Sequence, residues 1–273
     1  MQSITELYEI VSRDITRNRK SWTDFLRSAC RNYKCPFDEQ LLIYAQRPDA
    51  TAVLELEKWN SLFGRWVNRG AVGIAVLRKD SHESSRLKYY FDISDTHENA
   101  LSRPISPWRM KPEHEPEVIE TLENAFGELQ YKYGLADAIF SASQNMVTDN
   151  LPNYLSDLMD CRDNSLLEEL DGLNVQVMFK RAVVHSVAYM MMARCGLSPE
   201  DHFYQEDFQE ILSFNTPQTL NILGAASSDV ADVYDNLKAV QKRDHSNLKL
   251  VHLRWTKKQF VIKFKGCFGN NKI

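Results

Sequence analysis

The sequence predicts an α+β protein, a small head of helices and antiparallel strands followed by a mainly α-helical body. Three observations carry this. Apolar residues recur at helical spacing through most of the 273 residues. Runs rich in β-branched and aromatic residues, set off by glycines and a polar loop, lie together at positions 65–94. Prolines at 104, 107, 112 and 116 separate those runs from the helical remainder.

The elements follow in order. Residues 3–16 place Ile4, Leu7, Tyr8, Val11 and Ile15 at helical spacing, and Ser3 with Glu6 makes a capping-box signature. Ser21 is a second candidate cap, ahead of the apolar stripe Trp22, Phe25, Leu26, Ala29 and Tyr33. Arg27, Arg31 and Lys34 lie elsewhere around that helix, and Pro36 breaks it. A third helix from about Phe37 must stop before Pro48, because the residue preceding a proline is pushed out of the α region. Tyr44, Gln46 and Arg47 then fall on its last turn. A short helix is expected over 54–63. RWVNRG and GIAVLRK next flank a turn bounded by Gly70 and Gly73 and read as a hairpin, with RLKYYFDIS as a third strand. Beyond the prolines the pattern is helical: 117–131, 135–146, 151–159, a long helix over 166–195 closed by Gly196, and two or three more over 205–243. The long helix should bury Val177, Phe179, Val184, Val187 and Met191.

These elements divide the chain into a head (1–95), a linker (96–116), a helical domain (117–244) and a basic tail (245–273). Charge follows the same division. Residues 1–79 hold 13 Lys and Arg against 9 Asp and Glu, residues 80–244 hold 13 against 28, and the tail has seven basic residues and no acid. A positive head on an acidic base suits a partner that is itself a polyanion. The tail breaks sharply from the preceding composition and reads as a strand pair, a basic arm or the truncated end of a longer reading frame. No apolar stretch approaches the ~20 residues a membrane span requires, and the N-terminus lacks the apolar core of a signal peptide. Five scattered cysteines fit reduced thiols in the cytoplasm, and Cys30 and Cys35 lack the companions of a zinc site.

The stretch WTDFLRSACRNYKCPFDEQLLIYAQRPDATAVLELEKWNSLFGRWVNRGAVGIAVL (22–77) resembles the N-terminal domain of the ArdC antirestriction family. The resemblance rests on Gln40-Leu41-Leu42-Ile43, Gln46, Pro48-Asp49-Ala50-Thr51, Trp59, Gly64-Arg65, Val67, Arg69-Gly70 and Gly73-Ile74. It implies an α+β module that binds single-stranded DNA. Two departures stand out: Glu39 occupies a position where the family tends to have Asn, and Ala71-Val72 replaces a Glu-Lys pair, removing a cation. YYFDISDT, SVAYMMMARCGL and FNTPQTLNILGAASSD are similar to the front of large helicase and methylase proteins of Gram-positive conjugative elements. No P-loop, methylase or G-x-G-x-x-G motif is present in this chain. If the parent is such a protein, this chain is its front end.

For nucleic acid, the candidate residues are Arg47, Lys58, Arg65, Arg69 and Lys79 as a cationic track, with Trp66 and Tyr44 as stacking platforms. Alternation along RWVNR puts Trp66 and Asn68 on one face and Arg65, Val67 and Arg69 on the other, which favours Arg65 and Arg69. The competing reading is a surface hairpin with its tryptophan in the core. The resemblance also implies a zinc-peptidase-like second domain, whose helix would carry H-E-x-x-H. Here His185 is followed by Ser186 in place of the glutamate and Tyr189 in place of the second histidine. No catalytic residue, metal or cofactor is therefore expected, and the domain reads as a degenerate zincin or an ordinary packed helix. His82, His97, His114 and His202 read as solvated. The expected function is non-enzymatic binding of single-stranded DNA for a mobile element, beside a helicase or methylase of that element. The alternative is inhibition of a host defence nuclease by the acidic domain. No membrane partner is expected.

Overall fold

The computed structural model describes residues 3–79, 85–105 and 110–228. The helices expected over 229–243 and the basic tail lie outside the described residues. Three helices open the fold: α1 (Ile4–Ile15), α2 (Arg19–Arg31) and α3 (Phe37–Gln46). The Ser3 and Glu6 capping box forms as the local pattern required, with reciprocal bonds of 3.1 and 2.8 Å. The cap of α2 is Asn18, not Ser21: its side chain accepts from the Ser21 N–H at 2.8 Å, so Ser21 is already helical.

The strands are β1 (Val53–Glu55), β2 (Trp66–Val67), β3 (Ile74–Lys79), β4 (Ser85–Asp92) and β5 (Thr96–His97). A helical turn, α4 (Leu56–Lys58), runs into a π turn (Trp59–Phe63) that ends at Gly64 with φ +63°. The first sheet has the antiparallel order β1-β4-β3. The expected hairpin across Gly70 and Gly73 does not form. β2 pairs instead with β5, Trp66 opposite His97, so Thr96 and His97 are strand residues and not linker. The true hairpin joins β3 and β4, with Ile74 opposite Tyr90 and Leu77 opposite Leu87.

Two hydrophobic cores meet at α3. Phe37 and Leu41 enter the larger one, whereas Leu42 and Ile43 pack under the sheet with Ile74, Val76 and Tyr90. A helix apolar on adjacent faces is one buried from both sides, which accounts for the uninterrupted Leu-Leu-Ile run. The larger core also takes in α5 (Glu115–Phe126), α6 (Leu135–Cys161), α7 (Gly172–Arg194) and α8 (Pro217–Ser228). Helices on both sides of the proline-rich stretch thus share one interior.

Three finer expectations change. The segments 135–146 and 151–159 are one helix with Pro152 inside it. Burial of Met146, Val147, Leu151 and Leu158 in one core holds the halves together despite the lost backbone bond. The long helix begins at Gly172, capped by Asp171, and its first turns are peripheral, so Val177 is 58% exposed while Phe179, Val184, Val187 and Met191 are buried. His114, expected in solvent, is buried at the start of α5. No helix among the described residues is long and apolar enough to cross a membrane.

Candidate nucleic-acid interface

The sharp stop after α3 is a structural device. Gln46 ends the helix and reaches the outer edge of β3: its amide donates to the Ala75 carbonyl at 2.7 Å and accepts from the Ala75 N–H at 2.9 Å. One side chain thereby satisfies an edge-strand residue that would otherwise face solvent. The Pro48-Asp49-Ala50-Thr51 loop is then pinned from two directions. Arg31 donates to the Pro48 and Ala50 carbonyls, and the Asp92 carboxylate accepts from the Thr51 and Ala52 N–H groups at 2.7 and 3.0 Å. Burial pushes the Asp92 pKa up, but the backbone hydrogen bonds outweigh it and hold the group below the usual carboxylate value.

The candidate cations part company once placed. Arg47 pairs with Asp95 and donates to Ser94 Oγ at 2.8 Å. Lys58 lies 3.4 Å from Glu55, a carboxylate that also gathers Arg78 and Lys88. Arg65 is 8% exposed: it donates to Thr96 Oγ1 at 2.7 Å and to the Thr96 carbonyl at 3.2 Å, and pairs with Glu98. The expectation that Arg65 faces a ligand is therefore corrected; its guanidinium braces β5. Lys79 ends β3, and its side chain is outside the described residues. Arg69 is exposed and makes no hydrogen bond or ion pair among the described residues.

Trp66 is 52% exposed, so the tryptophan buried in this region is not Trp66 but Trp59, whose indole N–H donates to the Phe91 carbonyl at 2.8 Å. The alternation expected along RWVNR does not persist, because β2 ends at Val67 and the Asn68 N–H bonds the Asp95 carbonyl at 2.8 Å. Trp66 and Arg69 consequently both reach solvent. The outer face of the larger sheet adds two side chains that sequence reasoning missed, Leu87 and Tyr89, the latter 52% exposed. Tyr89 and Phe91 lie over Gly73, where any Cβ would stand 3.0 to 3.2 Å from them. The available signal was the Tyr89-Tyr90 pair itself, since adjacent strand residues face opposite ways and only one could be buried.

The helix with the zinc-peptidase-like spacing is occupied otherwise. His185 Nδ1 donates to the Asp207 carbonyl at 2.6 Å, and its ring packs among Phe140, Phe203 and Phe208. Ser186 accepts from the Trp22 indole at 2.9 Å and donates to the Ala182 carbonyl at 2.7 Å. Tyr189 donates to Glu200 at 2.6 Å and accepts from Arg27 at 3.0 Å. Burial opposes ionisation of Glu200, yet those Tyr189 and Arg27 bonds bring it down to about 2. Burial pushes the thiols of Cys35 and Cys195 up to about 12, far from a reactive thiolate. Among the described residues no three His, Cys, Asp or Glu side chains gather as a metal would need. Compared with models of protein families, with characterised proteins and with solved structures, the chain has no match.

Proposed function

We propose that the chain binds single-stranded DNA through the head, without catalysing a reaction, in keeping with the antirestriction-like role the sequence resemblance implies. The observation that carries the reading is the pair Trp66 and Arg69: a half-exposed indole and, three residues on, an exposed guanidinium without a partner among the described residues. Base stacking on an exposed aromatic and a cation for the backbone are the two contacts a single strand requires. Tyr89 adds a second ring, and the β4 register puts it on the same open sheet face as Leu87. The non-enzymatic part is supported by the use of His185, Ser186 and Tyr189 in structural hydrogen bonds.

The test is a low-salt titration of wild type and Trp66→Ala against one oligonucleotide, single-stranded and duplex. Wild type should prefer the single strand. Trp66→Ala should lose about 1–3 kcal/mol of binding, the worth of one stacked base, with an unchanged melting curve because the ring is on the surface. Equal affinity of the variant and wild type would remove this surface from consideration.

A further inference from the structure

We infer that the groove between α2 and the 48–51 loop is a subsite for one nucleotide of a bound single strand, with Tyr44 taking the base and Arg31 the phosphate. The inference rests on the DNA-binding reading above and assigns it a second contact. The groove is open, about 500 Å³ in volume, and lined by Asp24, Arg27, Arg31, Tyr44, Pro48, Asp49 and Thr51. That volume lies in the range of small-ligand sites, roughly 300–1,000 Å³.

Two of its charged groups are already paired. Arg27 is committed to Glu200 and Tyr189, and the charge of Asp24 is answered by Lys20 at 2.5 Å. Arg31 is different. Its Nε and Nη2 donate to backbone carbonyls, which orient the guanidinium without neutralising it, and no carboxylate pairs with it among the described residues. A planar cation held in place by two bonds, with further N–H groups to give, is suited to a phosphate oxygen. Tyr44 is likewise fixed, its ring edge-on to Phe25 at 5.7 Å and 82° and only partly buried. A ring already immobilised loses little entropy when a base stacks on it.

The loop that borders the groove is tied to the end of β2 by bonds. Arg47, immediately before the loop, pairs with Asp95, and the Asp95 carbonyl accepts the N–H of Asn68, the neighbour of Arg69. Of the two carboxylates in the groove, Asp24 is paired with Lys20, whereas Asp49 is adverse: exposed and without a partner among the described residues.

The experiment is a titration of the full chain with a thymidine oligonucleotide at low salt. Tyr44→Leu should weaken binding about tenfold, within the range for one base on one ring, while Tyr44→Phe, which keeps the ring, should bind as wild type. Asp49→Asn should strengthen binding about twofold, as removal of one exposed like charge does, and it disturbs no hydrogen bond should Tyr44→Leu prove poorly folded. If wild type binds, Trp66→Ala weakens binding and Asp49→Asn and Tyr44→Leu change nothing, the groove is not a subsite and the DNA reading stands without it. If wild type does not bind the oligonucleotide at all, both fall.

Discussion

Val187→Asp will unfold the protein, or leave it without a cooperative melting transition. Val187 is 0% exposed on α7, surrounded by Val183, Val184, Met190 and Met191, all in the larger core. An aspartate there must either ionise in an apolar interior or take up a proton to avoid it. Either route costs several kcal/mol, against a total stability of about 5–15 kcal/mol for an ordinary domain. The same helix supplies the control. Val177→Asp, ten residues earlier and on a largely exposed position, should shift stability by no more than about 0.5 kcal/mol. Thermal denaturation followed by circular dichroism compares the two directly. An unchanged melt for Val187→Asp would mean that this face of α7 is open to solvent.

Trp22→Ala should cost about 3–5 kcal/mol, the usual penalty for emptying a buried aromatic site. Trp22 is fully buried, packs against Phe25 at 5.4 Å, and reaches across to α7 through its bond to Ser186. Because the helices of the head and those of the body share one interior, the loss should appear as a single transition at lower temperature. Ser186 keeps its bond to Ala182, so the effect comes from lost packing more than from an orphaned hydroxyl. Two separate transitions, only one of them moved by the substitution, would show that the two regions fold independently.

What the sequence made legible was local. The Ser3 cap, the stop at Pro48 and the Gly196 end of α7 each depend on residues within a few positions, and all three are where the pattern put them. Gly196 sits at φ +80°, the conformation a helix terminus favours in glycine. The failures were of long range. β2 looked like the partner of β3 because the two flank a glycine-bounded turn, yet its pairing is set by Thr96 and His97 about thirty residues away. Two- and three-residue strands such as β1, β2 and β5 are too short to show a period.

Arg65 was misplaced for the same reason. An arginine on an alternating strand reads as a surface cation, and only Thr96 and Glu98 reveal that it is braced inside. Arg69, two residues past the end of β2, is exposed because the strand has ended and not because of the alternation along it. The groove between α2 and the 48–51 loop was invisible to any periodicity, since Arg31 and Tyr44 come together only when α2 and α3 pack.

The most direct measurement of the central claim is the salt dependence of single-stranded DNA binding for wild type and Arg69→Ala. Arg69 is exposed and unpaired among the described residues, so its removal should leave the fold intact. A phosphate contact releases counterions, and losing one should flatten the plot of log K against log salt by about 0.7 for a single strand. The loss of affinity should be the same for every sequence tested, since phosphate contacts position a strand without reading it. Binding at low salt with the shallower slope in Arg69→Ala is the predicted result. Failure of wild type to bind single strands at low salt, or a variant whose slope equals that of wild type, would contradict the account.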